Sequence, residues 1–479
     1  MRRKAIYIIA WSLLLVAGSC TKVLDKPPIG RLDATSYFKT ASDAIQGINA
    51  AYQPLLFNSS NNNYYWAFAI LPTSIAVVGG DGSRPGLVEM DFLNYTPRTQ
   101  EFNDFWKINY IGITQCNLVL DRVETIEMDA TLKNRIKGEA LFLRSYYHFV
   151  LTQVFGDVPL LTEIKDPDAL RVPRDDKKLI WDQITKDCAQ AAQWLPVSYP
   201  ASETGRCTKG AALGLAAKAS LYLEDWNGVL DYIQQLEALG IYSLVPDYED
   251  NFRKGTQNNS ESVWEIQHDN LELGVGNFLN QWWASKKVSD GYGFCEVTQE
   301  YVDEFEPGDP RLKFTVAMSR DDYFGVTYFP SFSSTGYSPR KYLQSAEEVT
   351  QKADGDINYT AIRYAEVLLW KAEAHAQLNQ IPEALAALEQ VRARARAQAA
   401  DPETALPPVT AGSQAEVMQA IRHERLVELG FEMHHFFDLV RWGLASQEIP
   451  DFVAGKNEYF PIPQTELDLN PMLTQNPGY

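Results

Sequence analysis

After residue 20 the chain has no apolar run approaching the roughly 20 residues of a membrane-spanning helix, so nothing beyond the N-terminus reads as a helical span. Cysteine is scarce, with 5 among 479 residues, and Cys116, Cys188, Cys207 and Cys295 show neither CxxC nor any metal-ligand spacing. Those four are free to pair or to stay buried as thiols. His423-Glu424 opens like a zincin helix, but the position that needs the second histidine holds Val427, which excludes zinc proteolysis by this motif. His434 and His435 are adjacent, so a helix would set them roughly 100° apart. Without ligands repeating every three or four residues they read as structural.

Phosphate-binding and nucleophile motifs are missing as well. Gly274-Val275-Gly276 and Gly291-Tyr292-Gly293 each stop short of GxGxxG, and no GxSxG or P-loop string occurs. Asp354-Gly355-Asp356-Ile357-Asn358 begins like a calcium loop, yet Tyr359 and Ala365 stand where its Gly and Glu belong. It reads instead as a polar turn capping the next helix. No carboxylate pair is singled out for glycosidase chemistry, whose two acids stand ~5–10 Å apart. The expectation is therefore no catalytic residue, no cofactor and no metal.

Positive charge is in deficit, with 43 Lys and Arg against 62 Asp and Glu, a net charge of −19. Met1-Arg2-Arg3-Lys4 followed by an apolar stretch from Ala5 to Val16 reads as a signal peptide over residues 1–19. Ala17-Gly18-Ser19-Cys20 then resembles a lipobox, in which Cys20 is acylated and becomes the new N-terminus; residues 20–40, with Pro27-Pro28, form a tether. Losing residues 1–19 removes three bases and no acid, leaving 40 against 62, or −22. Nucleic acid and an anionic membrane face are poor ligands for such a chain.

Residues 41–479 read as one domain. Ser42-Asp43 can cap a helix carrying Ala44, Ile45, Ile48, Tyr52 and Leu55 on one face. Phe105 to Val123 presents Ile108, Ile111, Gln115 and Leu118 similarly, and Leu132 to Val154 makes a long helix stopped by Gly156 and Pro159. Ala211 to Gly240 and Ala361 to Ala397 share a pattern: Ala217 is followed twelve residues on by Val229, and Ala372 by Ala384. Such small residues let paired helices approach closely, as in tetratricopeptide hairpins. The helical scaffold thus falls mainly at 100–240 and 359–445.

Between and before these segments, residues 57–99 and 241–358 lose helical periodicity and crowd Gly, Asn, Ser, Pro and aromatics into loops, where function usually sits. Aromatic content is 12%, and Asn61-Asn62-Asn63-Tyr64-Tyr65-Trp66, Gln281-Trp282-Trp283 and Asp321 to Phe329 set rings beside amides and carboxylates. Sugars present apolar C–H faces to such rings and hydroxyls to such polar groups. A flat aromatic patch suits protein contact equally.

Several stretches together resemble the SusD/RagB family of outer-membrane nutrient-binding lipoproteins. They include Phe105-Trp106 through Asn117, Phe155-Gly156-Asp157-Val158-Pro159-Leu160, and Gly291-Tyr292-Gly293-Phe294 through Phe305-Glu306-Pro307-Gly308-Asp309-Pro310-Arg311. Later ones are Arg363 to Ala395, Ile421-Arg422-His423-Glu424-Arg425 to Trp442-Gly443, Phe460-Pro461-Ile462-Pro463, and Leu473 to Tyr479. The resemblance implies a mostly α fold with a tetratricopeptide-like scaffold and an irregular ligand lobe, and an oligosaccharide-binding role without catalysis. It also implies a SusC-like TonB-dependent transporter as partner and a lipid-anchored place on the cell surface, at the outer membrane. Some relatives handle peptides, and a protein adaptor that docks the transporter without a ligand is the other alternative. Because the Gly79-Gly80-Asp81-Gly82 turn falls where the family often supplies contacts, the candidate ligand residues are Trp66, Asp81 and Arg84 with Trp282, Trp283, Tyr323 and Tyr328. Glu424, Arg425, Glu428 and Arg441 read as buried ion pairs between C-terminal helices.

Overall fold

The structure, a computed structural model, describes residues 38–57, 62–288, 290–349 and 351–479. Cys20, the signal peptide and nearly all of the tether lie outside the described residues. Helix α1 (Ala41–Tyr52) opens on a capping box, in which the Thr40 hydroxyl accepts the Asp43 N–H at 3.2 Å and the Asp43 carboxylate accepts the Thr40 N–H at 2.8 Å. The cap is therefore Thr40, with Asp43 reciprocating from the first turn, rather than Ser42-Asp43.

Two short helices follow, α2 (Tyr65–Ile70) and α3 (Pro85–Asp91), and then α4 (Gln100–Val123). The buried face of α4 is Phe102, Phe105, Gly112, Cys116, Val119 and Val123; of the expected face Ile108 is buried too, while Ile111 is exposed. The helix is thus rotated from the face that Ile108, Ile111, Gln115 and Leu118 suggest. Close approach sets that rotation: a Cβ at Gly112 would meet the Tyr147 ring at 2.4 Å. Tyr147 belongs to α5 (Ala130–Phe155), which is buried almost all round from Gly138 onward and ends at Gly156, whose φ of 73° is the left-handed region.

Helix α6 (Lys177–Trp194) packs against α5, α7 (Lys209–Tyr222) against α6, and α8 (Trp226–Glu237) against α7. A further short helix, α9 (Leu279–Trp283), lies in the loop-rich region; α10 (Tyr364–Gln377), α11 (Ile381–Ala397), α12 (Gln414–Leu429) and α13 (His435–Arg441) complete the scaffold. Pairs α7–α8 and α10–α11 are the expected hairpins. Both turn through a left-handed residue at the same place, Glu224 at φ 56° and Asn379 at φ 58°, and Ala217, Val229, Ala372 and Ala384 are buried between the helices.

The described residues hold eight short strands: β1 (Ala76–Val78), β2 (Ser262–Ile266), β3 (Cys295–Val297), β4 (Val316–Ala317), β5 (Asp322–Tyr323), β6 (Val326–Thr327), β7 (Ser338–Pro339) and β8 (Tyr359–Arg363). They form four antiparallel ribbons, β1–β3, β2–β8, β4–β7 and β5–β6. The segment expected to cap a helix, residues 354–358, instead leads into β8. Asp354 accepts the Glu272 N–H at 2.7 Å and Gly355 bridges Asn277, so the turn closes against a loop.

Ionic groups join scaffold and lobe. Arg363, at the end of β8, reaches Glu261 at 2.5 Å, Glu428 at 2.7 Å and Glu432 at 2.8 Å; Arg311 reaches Asp309, Glu424 and Glu428; Arg425 pairs with Asp438, and Arg441 with Glu373. The expected C-terminal pairs are therefore present, inside a wider buried network. Burial would raise the Glu428 carboxyl, but Arg394, Arg363 and Arg311 outweigh it and hold the group well below the usual range. His434 is buried and His435 half-buried within the same C-terminal region, and desolvation lowers both. The four cysteines after residue 37 are free, buried thiols. Among the described residues no helix is long and apolar enough to cross a membrane.

Candidate functional site

Ribbon β1–β3 joins the two loop-rich regions that the sequence separates by about two hundred residues. Its register pairs Val77 with Glu296, and beyond it the Gly79 N–H donates to the Phe294 carbonyl at 3.3 Å. A Cβ at Gly79 would stand 2.1 Å from the Gly293 carbonyl, so this approach requires glycine. The chain then turns through Asp81, whose carboxylate accepts the Ser83 N–H at 3.1 Å and meets Lys286 Nζ at 3.2 Å. Ser83 first and Lys286 second hold the Asp81 carboxyl down at about 2. Arg84 lies with its guanidinium 5.2 Å from the Trp282 ring centroid and within 3.4 Å of the Tyr64 hydroxyl.

Beneath this surface the tryptophans pack edge to face: Trp66 lies 6.2 Å from Trp282 and 5.7 Å from Trp283, and Trp282 lies 5.3 Å from Phe294. Trp66 and Trp283 are 0% exposed and Trp282 is 1% exposed. Tyr323 and Tyr328 are equally buried, 5.3 Å apart, and tie the β5–β6 hairpin down through bonds to the Pro339 carbonyl and the Ser338 hydroxyl. The expectation that these five rings stack directly on a ligand is therefore corrected. All five are closed off from solvent among neighbouring rings, so they support the surface of the lobe without presenting a face on it. Asp81 and Arg84 do reach the surface of the same lobe.

Sequence reasoning missed Tyr292, which is 38% exposed and tilts over Phe294 at 5.2 Å. Its signal was the flanking pair Gly291 and Gly293: Gly291 is jammed against the Ala284 carbonyl and Gly293 has φ 63°, so the tight turn pushes the ring outward. Phe329 was named as part of a segment but not chosen; it is 52% exposed and lies 5.9 Å from Phe332. That segment docks on the same ribbon, because Ser285 donates to the Phe332 carbonyl at 2.8 Å and Ser334 N–H donates to Glu296 at 2.8 Å. Exposed rings thus share a lobe with an ammonium, a guanidinium and a carboxylate, which suits a ligand with apolar faces and many hydroxyls.

A cleft of about 480 Å³ borders β1 at Ala76 and Val77 and is lined in part by Asp91, Phe92, Glu300 and Asp451. It carries three carboxylates and no base. Burial pushes the Asp91 carboxyl up to about 6, against the Val78 N–H it accepts. Among the described residues no group of three or more His, Cys, Asp and Glu is arranged to hold a metal ion.

A helical-repeat scaffold carrying a loop-built binding lobe defines the class of protein. A family model described as "SusD family" matches residues 260–457, and one described as "Starch-binding associating with outer membrane" matches residues 58–223. The chain is 24% identical to SusD-like protein P2 of Formosa agariphila, across 98% of each. Its fold is similar to that of a SusD superfamily protein from Bacteroides vulgatus, with a TM-score of 0.81 and 25% identity over 92% of this chain and 100% of that one. A laminarin binding SusD-like protein matches with the same TM-score and coverage at 27% identity. The chain belongs to the SusD/RagB family.

Proposed function

We propose that this protein is a cell-surface lipoprotein that binds an oligosaccharide and passes it to a SusC-like TonB-dependent transporter in the outer membrane, held there by lipid on Cys20. The observation that carries the glycan reading is the exposed Tyr292 ring on the β1–β3 shelf, in the lobe where Asp81, Arg84 and Lys286 gather. Rings supply stacking for C–H faces, and the charged groups supply strong, charge-assisted partners for hydroxyls. The similar laminarin binding protein supports the same reading, and the description of the family model supports the outer-membrane setting. Asp81, held at about 2 by Ser83 and Lys286, is an acceptor at every physiological pH. That suits holding a hydroxyl and not protonating a leaving group.

Calorimetric titration against plant, host and microbial oligosaccharides tests this. Saturable binding to one glycan class is expected, at least tenfold weaker in Tyr292→Ala and in Arg84→Ala with the melting temperature unchanged. Glycan binding that ignores both substitutions would remove the shelf from the account. The acid-only cleft with exposed Phe92 is the one observation that favours a basic peptide instead. Binding of lysine- and arginine-rich peptides, with no glycan bound, would establish that alternative.

A further inference from the structure

Far along the chain from the lobe residues, α6, the α7–α8 hairpin, α10 and α13 enclose a cavity of about 370 Å³. The Arg441-Trp442 pair, part of a C-terminal segment that reads as pure scaffold in the sequence, lines it. Its polar floor is self-neutralised: Arg441 bonds Glu373 through both terminal nitrogens at 2.6 and 2.7 Å and Asp438 through Nε at 2.8 Å. One wall is the Trp181–Tyr222 stack, with centroids 4.6 Å apart. Thr152, fully buried, lines the cavity from α5, and its hydroxyl, closed off from solvent, has no hydrogen-bond partner among the described residues.

The remaining charges decide what fits. Lys177 lies 5.1 Å over the Tyr459 ring and Arg422 lies 5.5 Å over the Trp442 ring, and neither has a carboxylate within ion-pair distance among the described residues. Glu224 at the rim is the one further acid lining the cavity. Glu448 acts on Arg422 from beyond that distance, and Asp157 accepts the Lys177 backbone N–H. Two cations without a paired carboxylate are unusual on a chain of net charge −19. The volume lies at the small end of the roughly 300–1,000 Å³ of ligand sites, which admits a small ring and not an extended chain.

We propose that this cavity is a second binding site, separate from the lobe, for a small acidic sugar. The carboxylate of a uronic acid residue is drawn to Lys177 and Arg422, and its ring lies along the aromatic wall. Titration of the purified protein with glucuronate, galacturonate and glucose tests this, read by calorimetry and by fluorescence of Trp181, Trp226 and Trp442. The expected result is 1:1 uronate binding at least tenfold tighter than glucose, weakened at least fivefold by Lys177→Met or Arg422→Gln and unchanged by Tyr292→Ala. Both cations are partly exposed, so the variants should fold; the fluorescence response of the unaltered protein stands without them. No saturable uronate binding at millimolar concentration, equal binding of glucose, or loss of uronate binding in Tyr292→Ala would each overturn the proposal.

Discussion

Trp282 is wedged among Tyr64, Trp66 and Phe294, so truncation to alanine leaves a void that its neighbours cannot fill. Trp282→Ala should cost about 3–5 kcal/mol of stability. Tyr292→Ala, ten positions away and at the surface, should change stability by less than about 0.5 kcal/mol while weakening glycan binding. Thermal unfolding beside titration of both variants separates support from contact; a Trp282→Ala that melts normally and loses only the ligand would restore that ring to the binding surface. The sequence placed rings in the loop-rich lobe, but which of them face water depends on packing between segments two hundred residues apart, and alternation or spacing carries no trace of that. Asp91 offers a second test at this scale. Its native value, about 6, lies above the unfolded carboxyl value, so its contribution is complete at low pH and is lost as pH rises through 6. Asp91→Asn should keep the bond from Val78 and remove this decline, gaining about 1–2 kcal/mol at pH 7 after allowance for solvent screening. Urea unfolding of both proteins at pH 4.5 and pH 7 measures it, and an equal difference at the two pH values would refute the assignment.

At the level of elements, α12 carries the groups that fasten scaffold to lobe. Glu428 contacts Arg311, Arg363 and Arg394 at once. Neutralising it leaves three guanidinium groups short of charge in a region closed to water, so Glu428→Gln should cost about 3–5 kcal/mol at pH 7. The carboxyl is held below its unfolded value, so this stabilisation is full above that value and drains away as pH falls through the native one. The gap between wild type and variant in urea unfolding should therefore narrow in acid, and a gap independent of pH would contradict the electrostatic account. The hairpins α7–α8 and α10–α11 were legible because small-residue spacing is local information. The rotation of α4 was not, since Gly112 against Tyr147 fixes it, and neither was β8, whose partner β2 lies in a distant loop.

For the molecule as a whole, the question is what holds an acidic binding protein at a membrane. Among the described residues no helix can cross a bilayer, and a chain with 40 bases and 62 acids after residue 19 is repelled by anionic headgroups. The proposed function assigns attachment to acyl chains on Cys20, which lies outside the described residues, and to protein contact with the proposed transporter. These two have separable consequences. Acyl chains contribute about 0.8 kcal/mol per buried methylene whatever the partner does, so Cys20→Ser expressed in cells should shift the protein from the outer-membrane fraction to the soluble one, with the fold unchanged by circular dichroism. Tyr292→Ala should stay with the membrane. If Cys20→Ser remains in the outer-membrane fraction and co-purifies with a transporter, contact with that partner is sufficient by itself and the lipid is an auxiliary tether.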